Sequence, residues 1–214
     1  MNRFHFIIIG SVLTLFSSMV GLVLLPIRGL GNFEAAPDPE TGELVPPPLS
    51  ALEARGRDVY VSMGCMYCHS QQVHPPSVRT DIDRMWGERR TVPRDYMQQG
   101  VAQMGTMRTG PDLSNIGVRN PSQDWHLIHL YDPQTTSPGS IMPPYRFLFR
   151  TQPIGESGPS PDALRLVDEF APPKGYEVVP TDDALALVAY LQSLKLSTYE
   201  VPEAARARYE SKRQ

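Results

Sequence analysis

Hydrophobic and polar positions form three patterned stretches along this chain, separated by long irregular ones. The first patterned stretch runs from Phe4 to Leu25 and consists of apolar side chains, glycines, small hydroxyl side chains and one histidine. As an α-helix it would be roughly 33 Å long, which is enough to cross the hydrocarbon core of a bilayer. The pattern predicts a transmembrane anchor over residues 4–25, ended by Pro26.

The alternative interpretation of this stretch is a cleaved secretory signal peptide. The apolar region of a signal peptide is about 7 to 15 residues long, and this stretch is longer, which favours a retained anchor. Residues 26–49 follow with little hydrophobic periodicity and with the run Pro46-Pro47-Pro48. This composition predicts a semi-rigid, partly extended tether.

The other two patterned stretches have helical periodicity and bracket the rest of the chain. Ser50 is a suitable N-cap for a helix that carries Val59 and Tyr60 on one face. Thr181 is a suitable N-cap for a second helix. In that helix four apolar side chains fall at helical spacing: Leu185, Val188, Leu191 and Leu194.

The region between these two helices is mostly irregular. A further helix is predicted over Pro161 to Phe170, whereas residues 71–161 are rich in proline, glycine and asparagine and predict loops without strands. The chain is therefore predicted to be mainly α, with one domain over residues 50–197. Residues 198–214 form a charged tail without a clear partner face, interpreted as a frayed or partner-bound helix.

Composition and charge narrow the possible functions. A length of 214 residues allows one modest domain plus extensions, and 22 prolines suit loops wrapped around a large cofactor. The net charge of -3 provides no basic face for phosphates, so nucleic acid is not an expected partner.

The only two cysteines lie in the motif Cys65-Met66-Tyr67-Cys68-His69, the attachment signal for c-type haem. Two thiols at this spacing can reach the two vinyl groups while the adjacent imidazole binds the iron. A thioredoxin-like dithiol would need alternating strands and helices around it, and a zinc site would need further cysteine or histidine ligands. We therefore predict one covalently bound haem c with His69 as an iron ligand.

Nine methionines and four further histidines compete for the other axial position of the iron. Met142 is preferred because it lies in an extended segment where Pro143 and Pro144 prevent a helix. Met104 and Met107, in a glycine-containing loop, are the alternatives. A single methionine often fills a core gap instead, so the sequence alone leaves this choice open.

Other polar side chains have less definite roles. His126 and His129 follow Trp125 at a spacing that could bind a metal or supply an iron ligand, although hydrogen bonds to haem propionates or backbone are favoured. His74 is interpreted as a surface or loop contact. The charged segment from Arg79 to Arg94 is interpreted as a solvated face that could also dock a partner.

Several of these residues together resemble the small cytochromes c: Gly56, Tyr60, the haem motif, Thr109-Gly110-Pro111-Asp112-Leu113 and Tyr190-Leu191. The resemblance implies a class I cytochrome c-like domain in which the terminal helices cross at Gly56 against Tyr190. It also implies that the Pro111 carbonyl accepts the ring N–H of His69, and that Arg119 lies near a haem propionate.

A closer resemblance is to the mono-haem cytochrome c subunit (subunit II) of bacterial cbb3-type cytochrome c oxidases. It rests on ordered blocks: Gly64 to Gln71, Arg108 to Leu113, Trp125 to Leu130, Met142-Pro143-Pro144-Tyr145, and Asp183 to Leu191. The resemblance implies that Met142 is the second axial ligand. His74, where that family typically has an arginine, and the segments from Arg84 to Met107 and from Phe149 to Pro180 depart from the family pattern.

This resemblance implies an electron-transfer subunit that is not catalytic by itself. Its expected partners are a haem-copper catalytic subunit and a further cytochrome c subunit or soluble cytochrome donor. The expected location is the bacterial inner membrane, as a single-pass protein with its haem domain on the periplasmic or outer face. Three alternatives remain: the cytochrome c subunit of a nitric oxide reductase, a free-standing membrane-tethered shuttle, and a haem enzyme or gas sensor with an open iron position.

Overall fold

The computed structural model describes residues 4–30, 35–38, 42–199 and 201. The α-helices are α1 (Phe4–Met19), α2 (Leu25–Leu30), α3 (Ala51–Ser62), α4 (Ile116–Arg119), α5 (Gln123–Tyr131) and α6 (Asp182–Ser193). Four short strands accompany them: β1 (Ala36–Pro37), β2 (Leu44–Val45), β3 (Phe149–Pro153) and β4 (Tyr176–Pro180). The prediction of a mainly helical chain is confirmed.

The N-terminal helix runs from Phe4 to Gly29, its most apolar 18-residue stretch has a mean hydropathy of 2.3, and it is long and apolar enough to cross a membrane. The prediction that Pro26 ends it is wrong, because α2 continues through this residue. A π-helical turn at Val20–Leu24 comes first, and the Leu25 N–H bonds the Val20 carbonyl. The backbone hydrogen bonds just before Pro26 therefore already depart from the α-helical pattern, and the helix can continue although proline has no N–H to donate.

The two predicted bracketing helices are confirmed together with their caps. Ser50 and Glu53 form a capping box at the start of α3, with the Ser50 N–H donating to the Glu53 carboxylate at 2.6 Å. At the start of α6, the Ala184 N–H donates to the Thr181 hydroxyl at 3.3 Å. Both caps satisfy amides that have no partner within their own helix.

These helices cross where α3 carries a glycine. A Cβ built on Gly56 would lie 1.8 Å from the Ala186 carbonyl oxygen, so no larger residue fits without moving α6. The rings of Tyr60 and Tyr190 meet edge to face beside the crossing, with centroids 5.4 Å apart. The main core includes these buried side chains around the crossing: Val59, Leu113, Ile116, Leu127, Leu130, Leu148, Leu187, Val188 and Leu191.

The expectation that the chain contains no strands is wrong. β3 and β4 pair antiparallel over five residues, from Phe149 opposite Pro180 to Pro153 opposite Tyr176. The strands are short, and the connection between them covers residues 154–175, so no tight hairpin turn marks the pairing in the sequence.

The helix predicted over Pro161 to Phe170 is also wrong, since only Asp168–Phe170 forms a 3-10 turn. The backbone N–H of Leu164 donates to the Val178 carbonyl of β4 at 2.8 Å, and Leu164 packs against the core. Leu164 therefore packs beside the hairpin instead of in a helix, because a neighbouring strand supplies its hydrogen bond.

The first residues of the predicted C-terminal tail pack on the domain. Val201 is buried beside Val92, and the Arg89 guanidinium lies 5.3 Å from the centroid of the Tyr199 ring. The remainder of the predicted tail, like residues 31–34 and 39–41 of the predicted tether, lies outside the described residues.

Candidate cofactor site

A cavity of about 760 Å³ lies beside the crossing of α3 and α6. Part of its wall is apolar and is formed by Leu113, Ile116, Leu130, Leu187 and Leu191. Another part is polar and is formed by Arg119, Asn120, Trp125, His126 and His129. The cavity is therefore large and amphipathic, with room for a flat ligand that has an apolar body and a polar edge.

Both cysteines line this cavity as free thiols. α3 ends just before them, and Gly64, with a φ of 71°, turns the chain into a 3-10 turn at Cys65–Tyr67. This turn places Cys65, Cys68 and His69 at one wall, and the His69 N–H donates to the Cys65 carbonyl at 3.0 Å. Burial raises the pKa of the Cys65 thiol to about 11.

The imidazole of His69 is fixed by the loop that contains Pro111. Its Nδ1 lies 2.8 Å from the Pro111 carbonyl oxygen, and a carbonyl can only accept, so Nδ1 carries the proton. A Cβ on Gly110 would lie 2.3 Å from the ring carbon Cε1, which shows how closely this loop covers the ring. Burial lowers the pKa of His69, so the ring is neutral and Nε2 retains a lone pair for a metal.

Met142 is half-buried and lines the same cavity as His69. Its segment is not helical, and its N–H donates to the Ser140 hydroxyl at 3.2 Å. The alternative candidates Met104 and Met107 do not line the cavity, and they are 43% and 61% exposed. The structure therefore brings together the imidazole and the thioether preferred from the sequence.

Among the residues that the structure describes, Arg119 is the only lysine, arginine, aspartate or glutamate in the cavity lining. Its guanidinium donates to the backbone carbonyl of Asp112 at 2.7 Å, and burial lowers the pKa of this guanidinium. A single cation in an otherwise neutral wall is suited to binding an anionic group.

The two histidines of α5 face the cavity beside Trp125. His126 forms a hydrogen bond through Nε2 with the Asn120 carbonyl at 2.8 Å, as the favoured interpretation allowed. His129 stacks on Trp125 with ring centroids 4.7 Å apart, and its Nδ1 lies 2.5 Å from the Thr136 hydroxyl. Burial lowers the pKa of His129 to about 4, so this ring is neutral at pH 7.

Asp112 is a buried residue that the site prediction missed. Its side chain is fully buried and accepts hydrogen bonds from the Ser70 hydroxyl at 2.6 Å, the Gln72 N–H at 2.7 Å and the Ser114 N–H at 2.8 Å. Its sequence signal was its place directly after Pro111 in the block Thr109 to Leu113 that carries the resemblance. The carboxylate holds together the two segments that flank His69.

The charged segment from Arg79 to Arg94 is not simply a solvated face, and this interpretation is wrong for its buried members. Asp81 is 2% exposed and binds both Arg108 and His74, with the Arg108 contact at 2.6 Å. Burial opposes ionisation of Asp81, but the hydrogen bonds from Arg108 and His74 outweigh it and lower its pKa to about 2.

A second buried ion pair joins Arg89 of this segment to Asp95, which directly follows the segment. Arg89 and Asp95 are joined by two parallel hydrogen bonds of 2.9 and 2.8 Å, and both side chains are almost completely buried. Such paired geometry compensates both charges and fixes the fold of this loop. Neither residue lines the large cavity.

The donor set around the cavity fits a haem c. Two thiols three positions apart, a neutral imidazole and a thioether line one space, and a guanidinium lies in its polar wall. Cys65 and Cys68 would form the thioether bonds, and His69 and Met142 would bind the iron. Arg119 would face the edge of the haem that carries its propionate carboxylates.

Comparison with known families agrees with this donor set. The family model described as "Cytochrome C oxidase, mono-heme subunit/FixO" matches residues 32–157, which is more than half of the chain. The match includes the cysteine motif, Asp112 and Met142, and it ends before β4 and α6. A search of curated proteins found no match.

Proposed function

Since the chain belongs to the family of cytochrome c oxidase mono-haem subunits (FixO), we propose that it is the membrane-anchored electron-transfer subunit of a cbb3-type terminal oxidase. In such an enzyme, a haem-copper subunit reduces oxygen to water. The single observation that carries the proposal is that Cys65, Cys68, His69 and Met142 line one cavity. When bound there, haem c supplies a one-electron couple whose potential depends on its ligands and surroundings.

The residues of the chain would each do part of this work. Cys65 and Cys68 hold the cofactor covalently, and the Pro111 carbonyl keeps Nε2 of His69 free to bind iron. If His69 and Met142 both bound the iron, no coordination site would be left for a substrate. The chain then relays single electrons and is not catalytic by itself.

The N-terminal helix supports the location of this relay. It would anchor a class I cytochrome c-like domain to the bacterial inner membrane as a single-pass protein, and the part of residues 26–49 that follows the helix would be the tether. Because haem c is attached outside the cytoplasm, the domain would lie on the periplasmic or outer face. There it would receive electrons from a further cytochrome c subunit or a soluble cytochrome and pass them to the haem-copper subunit.

The test is to solubilise the native membrane gently, isolate this chain with its bound partners, and measure oxygen and nitric oxide consumption with an added electron donor. Oxygen reduction by a complex that contains a haem-copper subunit is the expected result. Nitric oxide reduction, or an isolated cytochrome without a terminal reductase, would overturn the oxidase proposal while leaving haem binding intact.

A further inference from the structure

A buried charge network lies directly behind the imidazole of His69. Asp112 follows Pro111, whose carbonyl contacts His69, and the Asp112 carboxylate binds Ser70, which follows His69. The same carboxylate accepts the Gln72 N–H at 2.7 Å. Asp112 thus connects the segment that carries the imidazole with the segment that carries its hydrogen-bond acceptor.

Arg108 extends this network from Ser70 to Asp81. Its Nε donates to the Ser70 hydroxyl at 2.9 Å, and its two terminal nitrogens bind Asp81 at 2.6 and 2.8 Å. One of these nitrogens also lies 3.8 Å from the Asp112 carboxylate. The guanidinium lies 5.2 Å from the ring centroid of Trp86, which lines the large cavity.

We propose that Asp112 and Arg108 are positioning residues that set the reduction potential of the haem, a role that rests on the proposed function. They hold the two chain segments that form the hydrogen bond between His69 and Pro111. Their opposite charges also lie close to the site and change the electrostatic potential there. Neither residue lines the cavity, so neither could bind the iron as Met142 would.

The sign of each contribution follows from the charge of the iron. Oxidation adds one positive charge, so a nearby carboxylate favours the oxidised form and a nearby guanidinium favours the reduced form. For two unit charges about 12 Å apart at an effective dielectric constant of about 20, Coulomb's law gives a change of about tenfold in the redox equilibrium. The other charged groups at this site are Asp81, bound by Arg108, and Arg119, which donates to the Asp112 backbone.

The test is a spectroelectrochemical titration of the full-length haem-loaded chain in detergent. Asp112→Asn should shift the equilibrium about tenfold towards the reduced form, which is about 59 mV for a one-electron couple. Arg108→Gln should shift it in the opposite direction, whereas Arg108→Lys, which keeps the charge, should stay close to the unmodified chain.

Asp95→Asn is the matched control, because it also breaks a buried arginine–aspartate pair but lies outside the cavity lining. It should lower resistance to denaturant without moving the midpoint potential. Absent shifts, shifts of the same sign for Asp112→Asn and Arg108→Gln, or an equal shift for Asp95→Asn would overturn the inference. A chain without covalently bound haem, or without a thioether-ligated spectrum, would instead overturn the proposed function.

Discussion

Gly56→Ala tests the helix crossing that shapes one side of the cofactor cavity. The added methyl group would lie 1.8 Å from the carbonyl oxygen and 2.5 Å from the carbonyl carbon of Ala186. It would also lie 2.8 Å from Cβ of Tyr190. These are backbone and Cβ atoms that no rotamer change can move, so α3 and α6 must separate.

The expected cost follows from two opposing effects. Overpacking of a rigid core costs about 1 to 3 kcal/mol, and the upper end applies here because the clash involves backbone. Alanine is a better helix former than glycine, which returns about 1 kcal/mol. The net loss should be about 2 kcal/mol, which corresponds to about 4 to 8 °C in the melting temperature of a domain of this size.

The assay is thermal and denaturant unfolding of the haem-loaded chain in detergent, with Gly155→Ala as the control. Gly155 has no atom within 4 Å of a built Cβ, so this substitution should change stability by less than about 0.5 kcal/mol. Equal stability of Gly56→Ala and Gly155→Ala would refute the close crossing and with it the described cavity wall.

Three further predictions concern the ligands and the buried charges. Met142→Ala should remove the spectral signature of a thioether-ligated iron, whereas Met104→Ala and Met107→Ala should retain it; the reverse pattern would assign the ligand elsewhere. Cys68→Ala should leave at most one thioether bond, which mass spectrometry and haem staining of the denatured chain would detect; unchanged two-bond attachment would contradict the site. Asp81 has a folded-state pKa of about 2, so it stabilises the fold above its unfolded pKa of about 3.9 and loses this effect as pH falls towards 2. Denaturation should therefore show a loss of about 2 kcal/mol over that range that is absent in Asp81→Asn; parallel pH profiles would disprove the assignment.

The sequence correctly predicted the helices whose N-cap hydrogen bonds join residues close together in the chain. Ser50 and Thr181 accept hydrogen bonds within three residues, so their caps can be recognised in the sequence. The β3–β4 pairing could not be recognised in the same way, because each strand obtains its hydrogen bonds from the other across residues 154–175. Leu164 was assigned to a helix for the same reason, since its actual partner Val178 is distant in sequence.

The candidate site shows the same division. The spacing of the cysteines predicted that Cys65, Cys68 and His69 share one site, and the prolines after Met142 favoured the methionine that lines the same cavity. Burial of charge could not be predicted, because Asp112 and Asp81 become tolerable inside the protein only through donors from several loops. Arg108 is 27 residues from Asp81 in the sequence and supplies some of those donors only after folding.

The raised pKa of Cys65 bears on whether folding or the proposed haem attachment comes first. With a pKa of about 11, only about one Cys65 thiol in ten thousand would be ionised at pH 7 in the folded chain without haem. The thiolate is the reactive form, both for bond formation with a cofactor and for oxidation to a disulfide. Under the proposed haem attachment, folding first would therefore leave far less Cys65 thiolate for either reaction than the unfolded turn, whose sulfur remains in water.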